Sequence, residues 1–467
     1  MNTSPNILFI TDDQHRWDWL EMTRRYPVRT PHLARLASEG IWYRQTYSTC
    51  PLCMPARASL HSGLYAHQTG LDRNIGHWPF GIPMLPNVLR GLGYRTAAIG
   101  KLHVFEAVPE RLDLLTVSDT IRHELGYDDL FEVSGKALAW HVDCEWTHEL
   151  RRRGLLDLYR EKSPRGQRAC QPFDLSPDLY QDVFIGDRAV QWLQEVGTEK
   201  PFFLWAGLVS PHPPFDAPAE ALARQADHAP SPIAPGNIDE DLWQERRRHY
   251  SAMVEIVDTQ VGRLLQVLDE RGLAGNTLVI FAADHGEMLE DRGLAGKCFP
   301  FDPSVRVPCL MRWPGHTPAG VATDALIELI DLPATCLEAA SGSGMVADFL
   351  PGSTGRSLVE HWKDPAAPVR THVFSEDGGQ FCPAYTMIAD GRWKYVLYPK
   401  NGEEALYDVL SDPGELTNRI ADPSAKEIRD RLKTALLLHY SHNPAPHRLH
   451  AEYGDKPRKE DRCGART

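Results

Sequence analysis

Residues 7–11, 202–209, 277–282 and 305–311 are apolar along almost their whole length rather than at every second position. A strand with one wet face alternates, whereas a strand that does not alternate is covered on both faces. Helix patterns lie between these runs. Thr30-Pro31 opens one and Gly40 closes it, with Thr30 placed to cap and Pro31 in the first turn. Others span residues 85–92 and 189–196, and a strand at 95–99 follows the first of these. The longest runs from about 242 to about 268, carrying Met253, Ile256, Val257, Val261, Leu264, Leu265 and Leu268 at helical spacing. This order predicts an α/β fold, a large mixed, mostly parallel sheet sandwiched by helices. In such sheets ligands sit outside the carboxyl ends of the strands, so the polar residues directly after each strand are the first candidates for a site.

The remainder is less regular. Residues 107–177, with Arg151-Arg152-Arg153, read as insertions over the sheet edge that shape access. Residues 340–355 are rich in Gly, Ser and Pro and predict a boundary, giving a catalytic domain at 1–355 and a smaller C-terminal α+β domain at 356–467. Its strands are expected near 372–375, 386–389 and 393–397, its helix at 425–438, and a polar surface tail from Asn443.

Composition narrows the partners. Among 467 residues, 50 Lys+Arg stand against 63 Asp+Glu, a net charge of −13, which excludes a bulk field for nucleic acid or an anionic membrane. No apolar run approaches the ~20 residues of a membrane span. Met1–Pro5 carries neither a basic segment nor an apolar signal core, so a cytoplasmic location is expected. The nine cysteines are odd in number and scattered, which argues against a disulfide framework. An anionic substrate would need a local cluster of cations.

Two oxygen-rich clusters follow strands: Asp12-Asp13-Gln14 and Asp284-His285-Gly286-Glu287. Carboxylates, an amide oxygen and one imidazole suit a hard or borderline divalent cation. One such cluster could simply cap a helix; two in one sheet favour a metal. A third element is Cys50-Pro51-Leu52-Cys53-Met54-Pro55-Ala56-Arg57. No second Cys-x-x-Cys exists, which rules out a zinc ribbon. Pro55 suits a first helical turn, and Arg57 then lies one turn from Cys53 on the same face, an anion site at a helix N-terminus. A redox pair of Cys50 and Cys53 is the competing reading, but it leaves the two oxygen clusters unexplained. Trp17 and Trp19 are expected to pack rather than bind.

Cys53-x-Pro55-x-Arg57 followed by Ala58-Ser59-Leu60-His61-Ser62-Gly63 resembles the defining motif of the sulfatases, in the alkaline phosphatase superfamily. The resemblance continues through Pro5–Ile10, Gly100-Lys101-Leu102-His103, Pro211-His212-Pro213-Pro214-Phe215, Lys297, Val305-Arg306-Val307-Pro308 and Leu406-Tyr407-Asp408 with Asp412–Asn418. It implies that Cys53 is oxidised by a formylglycine-generating enzyme to formylglycine, whose hydrated aldehyde is the nucleophile. It implies one divalent metal at Asp13, Gln14, Asp284 and His285, with an oxygen of residue 53. Arg57 and Lys101 would orient the formylglycine hydroxyls, and His103 would assist regeneration of the aldehyde. His212 and Lys297 would contact the sulfate and leaving oxygen, and Asn74 would touch substrate. The strand register from Asn6 puts Asp13 and Gln14 in the ligand places and Asp12 behind them. Many sulfatases carry two Asp at the first pair of places and Asn at the position of His285. Gln14 and His285 instead resemble the branch of choline sulfatases and phosphonate monoester hydrolases, which makes Mn²⁺ a competitor of Ca²⁺.

The function this implies is hydrolysis of a small-molecule sulfate monoester to alcohol and sulfate. A phosphonate monoester or phosphodiester hydrolase with the same site is the alternative. An inactive anion-binding pseudoenzyme, with Cys53 still a thiol, is the alternative of another class. The alcohol is not legible, and homo-oligomerisation is left open.

Overall fold

The computed structural model describes residues 4–106, 112–166, 168–236, 238–342 and 346–444. Thirteen strands are assigned among them: β1 Asn6–Asp13, β2 Ile41–Tyr47, β3 Arg95–Gly100, β4 Asp129–Glu132, β5 Phe202–Pro211, β6 Thr277–Ala283, β7 Arg306–Val307, β8 Cys309–Arg312, β9 Val321–Glu328, β10 Val373–Asp377, β11 Tyr385–Ala389, β12 Trp393–Tyr398 and β13 Glu403–Asp408. The helices that matter for the site and its support are α1 Pro31–Ser38, α2 Cys53–Ser62, α3 Leu85–Gly91, α4 Gln181–Glu195, α5 Glu240–Glu270, α6 Asp331–Ser341 and α7 Lys426–His442.

The first nine strands form one sheet in the order β4-β3-β5-β1-β6-β8-β2-β7, with β9 also on β2. The run β4-β3-β5-β1-β6 is parallel throughout. β8 is antiparallel to both β6 and β2. β1 shows why its residues are apolar without alternation: Ile7 and Phe9 enter the core beneath α2, α3 and α6, while Leu8 and Ile10 enter the core with α1, α4 and α5. The expected mixed, mostly parallel sandwich is therefore present, as is a smaller C-terminal unit. There β10-β11-β12-β13 form an antiparallel sheet. One face packs against Tyr47, Met288, Phe301 and Val305 of the large unit, and the other carries α7.

Several expectations need correction. The run at 305–311 is not one strand. Residues 302–305 form a helical turn, and Pro308, which has no N–H to give, divides β7 from β8 on the shared partner β2. The helix expected from 189 begins eight residues earlier, at Gln181. Thr30 precedes α1 but its side chain does not cap it. β2, β4, β9 and β13 were not foreseen as strands. Trp19 packs as expected, stacked on Tyr26 at 3.8 Å. No disulfide joins the eight described cysteines. The tail expected beyond Asn443 lies, from residue 445 on, outside the described residues, as does Cys463.

Candidate active site

Four adjacent parallel strands, β3-β5-β1-β6, end on one edge of the sheet and deliver Lys101, His212, Asp13 and Asp284 there. Gly100 makes the turn out of β3. Its φ is +101°, and a Cβ there would stand 2.1 Å from the Gly207 carbonyl oxygen, so only glycine lets β3 reach its neighbour at this point.

Period-two alternation at the end of β1 sends its two carboxylates to opposite sides. Asp12 Oδ2 meets His15 Nδ1 at 2.5 Å, and His15 Nε2 reaches the Trp19 carbonyl at 3.0 Å. Asp13 instead meets Lys101 Nζ and lies 3.7 Å from the Cys53 Sγ. Burial and the Cys53 sulfur push the Asp13 carboxyl up, but Lys101, His212 and Lys297 outweigh them and hold it below the usual carboxylate range. Gln14 is left-handed, with φ 72°. Its N–H donates to Asp284 Oδ1 (3.1 Å), its Nε2 donates to Glu287, and its buried Oε1 has no partner among the described residues.

Cys53 begins α2, as the motif predicts, and is 1% exposed. The helix N-terminus has no cap from its own preceding residue; Asn74 Oδ1 accepts the Met54 N–H at 2.9 Å instead. The Cys53 sulfur lies 2.7 Å from Lys297 Nζ and 3.2 Å from His285 Nε2. Burial alone would raise this thiol, but Lys297, Lys101 and His285 together bring it well below its ordinary value, so a negative atom is stabilised at this point. One turn on, Arg57 donates from Nε to Asp284 Oδ2 (2.8 Å) and from a terminal nitrogen to the Lys101 carbonyl (2.7 Å). It thus holds the Asp284 carboxylate and the turn after β3.

His103, also left-handed at φ 62°, is buried with its ring within reach of the Cys53 sulfur. Burial, helped by Lys101, pushes it down to about 4 against the pull of the Cys53 sulfur. Its imidazole is neutral near pH 7 and able to take a proton. His212 donates its Nδ1–H to the Pro213 carbonyl (2.6 Å); burial and Lys297 lower its basicity, against the pull of Asp13 and the Cys53 sulfur. His285 is oriented alike, Nδ1 on the Gly286 carbonyl at 3.0 Å and Nε2 toward Cys53.

Ligand atoms of Asp13, Cys53, Asp284 and His285 lie within 4.8 Å of one another, all buried. With the orphaned Gln14 Oε1 they form the mixed carboxylate, amide and imidazole set that a hard or borderline divalent cation takes, so the residues present fit such an ion. The site residues expected from sequence converge here, Asn74 through its hydrogen bond to the N-terminus of α2 beside Cys53. Three supports were not foreseen in their roles. Glu287 holds Gln14, and His15 holds Asp12. Glu132 accepts the backbone N–H of Leu102 (3.2 Å) and of His103 (3.1 Å). Glu132 ends β4, and with that strand unrecognised nothing marked it. Cys50 packs with Leu52, Ala66 and Cys298 and its thiol is pushed up by burial, which does not suit a redox pair with Cys53.

The family model described as Sulfatase matches residues 5–343, and that described as N-sulphoglucosamine sulphohydrolase, C-terminal, matches residues 290–442. The chain is 27% identical over 469 residues to an arylsulfatase of Clostridium perfringens, covering 93% of this chain and 94% of that one. It is also 27% identical over 460 residues to a choline-sulfatase of Rhizobium meliloti, covering 90% and 83%. Among solved structures, the phosphonate monoester hydrolase of Agrobacterium radiobacter is similar with a TM-score of 0.76 at 25% identity, covering 94% and 96%.

Proposed function

Because the chain belongs to the sulfatase family, we propose that it hydrolyses sulfate monoesters to an alcohol and inorganic sulfate, with residue 53 as the nucleophilic position. One observation carries this reading: the buried Cys53 sulfur is held between a carboxylate–imidazole cluster and the Lys297 ammonium. In our reading Cys53 is oxidised to formylglycine by a maturation enzyme, and the sulfur marks where the first oxygen of that residue sits. The hydrated aldehyde would supply a hydroxyl nucleophile and a second hydroxyl through which sulfate is later expelled. Asp13, Gln14, Asp284 and His285 would hold one divalent cation, Ca²⁺ or Mn²⁺, which supplies positive charge against the repulsion between the sulfate and its attacker.

The chain's own residues supply the rest. Lys297 and His212 stand where they can bind sulfonate oxygens and stabilise charge moving onto the leaving oxygen. Lys101 balances Asp13 and keeps it ionised. Arg57 orients Asp284 and fixes the Lys101 turn. His103, neutral and beside residue 53, takes the proton when sulfate leaves. A cytoplasmic location and the division at 355/356 belong to this proposal as well.

The phosphonate monoester reading draws on Gln14 and His285 and on the solved hydrolase named above. Fully oxidised enzyme assayed on nitrophenyl sulfate, a phenylphosphonate monoester and a phosphodiester, with Ca²⁺ and Mn²⁺ in turn, separates the two. We expect kcat/KM to be higher for the sulfate. A hundredfold preference for the phosphonate, about 2.7 kcal/mol of transition-state binding, would transfer the assignment. Peptide mass spectrometry tests the nucleophile. Oxidation of Cys53 to the aldehyde lowers the mass by about 18 Da. Protein that stays entirely thiol beside active maturation machinery would favour the anion-binding pseudoenzyme.

A further inference from the structure

His212 belongs to the segment that leaves the end of β5 and runs to Asp216, and buried side chains from elsewhere close both ends of it. At the near end Asp182, in the first turn of α4, accepts the N–H groups of Val209 (2.8 Å) and Ser210 (3.1 Å), and the Ser210 hydroxyl also donates to it. At the far end Lys136 Nζ donates to Asp216 Oδ1. Tyr180 joins the two ends. Its hydroxyl accepts from Lys136 Nζ at 2.6 Å and lies 3.2 Å from Ser210 Oγ and 3.3 Å from Asp216 Oδ1. The same ammonium stands 4.5 Å from the centre of the Tyr180 ring.

Lys136 is itself buried, and a buried ammonium is costly unless it is paired. None of the chemistry assigned to the site uses it. What it holds is the segment whose conformation aims His212, because the ring is set by the bond from Nδ1 to the carbonyl of Pro213 within that segment. Burial pushes the Asp216 carboxyl up and Asp182 adds to this, while Lys136 opposes both, so the ammonium is what lets the two carboxylates at the segment's ends stand together. The backbone has its own ties: Phe215 N–H donates to the Ala169 carbonyl (2.9 Å) and Phe173 N–H to the Asp216 carbonyl (3.1 Å). These remain when Lys136 is replaced. The residue before Lys136 also touches the site. A Cβ on Gly135 would lie 3.2 Å from Lys101 Cδ and Nζ, so the turn after β4 packs against Lys101 on one side and the His212 segment on the other.

We propose that Lys136, acting through Tyr180 and Asp216, is a positioning residue that fixes His212 against the leaving oxygen of the ester at residue 53. The proposal rests on the ester-hydrolase reading above, in which His212 stabilises charge on that oxygen. The test compares oxidised wild type with Lys136→Met, Tyr180→Phe, His212→Ala and the double variant Lys136→Met/His212→Ala on phenyl sulfate and nitrophenyl sulfate. Phenol is the poorer leaving group, so it depends more on help at the leaving oxygen. Lys136→Met should lower kcat/KM about a hundredfold for phenyl sulfate and about tenfold for nitrophenyl sulfate, the cost of a misplaced group. Tyr180→Phe should show the same bias more weakly. The double variant should stay within about threefold of His212→Ala, since the two changes act on one contact. A mere loss of folded enzyme lowers both esters by one factor. Equal losses on the two esters, or a double variant that loses the product of the single losses, overturns the proposal. If Lys136→Met does not fold, Tyr180→Phe, which removes one hydroxyl, is judged alone and with His212→Ala by the same criteria. Phenyl and nitrophenyl phosphonate monoesters give the same readout. If neither class turns over, the hydrolase reading fails by itself. Positioning is then read by calorimetric binding of inorganic sulfate: a Kd weakened by Lys136→Met, and no weaker in the double variant than in His212→Ala, supports it, and an unchanged Kd in Lys136→Met overturns it.

Discussion

Asp12 and Asp13 are chemically identical neighbours whose different work is set by one step of strand register. Asp13 faces the sulfur and Lys101, and Asp12 faces His15. Asp13→Asn and Asp284→Asn should therefore each abolish retention of about one equivalent of divalent metal, while Asp12→Asn should retain it. Elemental analysis of the purified variants decides this; metal lost from Asp12→Asn but kept in Asp13→Asn would place the ligand register one residue earlier. Glu132 makes a second residue-scale prediction. Burial, only partly offset by the Leu102 and His103 N–H groups, pushes its carboxyl from 4.5 up to about 7. The folded protein then holds a proton that the unfolded chain releases, so this contribution to stability is complete below pH ~4.5 and fades as pH rises through ~7. The loss is about 3 kcal/mol between those limits. Urea unfolding of Glu132→Gln across this window should show a flatter pH dependence than wild type, and parallel curves would refute the assignment.

Elements here are finished by groups from elsewhere in the chain. The N-terminus of α1 is capped not by Thr30 but by Asp258 of α5, which accepts the N–H groups of His32 (3.2 Å) and Leu33 (2.8 Å). Thr30 is instead paired with Glu21: its Oγ1 accepts the Glu21 N–H at 3.0 Å, and Glu21 Oε2 accepts its N–H at 2.8 Å. Asp258→Ala should cost about 1–2 kcal/mol and Thr30→Val less. The comparison belongs at pH 8, above the value of about 7 to which burial pushes the Asp258 carboxyl. Equal urea midpoints for the two variants would remove Asp258 from the capping role. The N-terminus of α2 is completed in the same way, by Asn74 from the following loop. This accounts for Asn74 being polar and close to Cys53 through a structural contact of its own.

Buried cations tie the small unit to the large one: Arg370 pairs with Glu328 (3.1 Å) and Asp331, and Lys394 reaches Asp302. Lys394 of β12 is fully buried, with its Nζ 2.6 Å from Asp302 Oδ1 and 2.6 Å from Glu415 Oε1. Replacing it with Met would leave Glu415 without its cation and Asp302 with Arg306 alone, a loss of about 3–5 kcal/mol. Lys394→Met should therefore lower the thermal midpoint. Full stability in this variant would show that the interface is held without it, by the apolar contacts of Tyr47, Phe301 and Val305 and the Arg370 pairs.

The sequence by itself determined the architecture and nearly all of the site. Strands covered on both faces must be apolar throughout, and parallel strands joined by helices must end on one edge, so Asp13, Lys101, His212 and Asp284 were legible as residues that follow strands. The Cys53–Arg57 spacing was legible for the same local reason, one helical turn. What only the tertiary structure decided depends on partners far away in the chain. Short strands such as β4 and β7 bury too few residues to leave a period. Pro308 broke an apolar run that sequence could not divide. Asp258, Glu132 and Lys394 have ordinary sequence contexts and gain their roles only when a helix end, a turn or two carboxylates from another element are brought beside them.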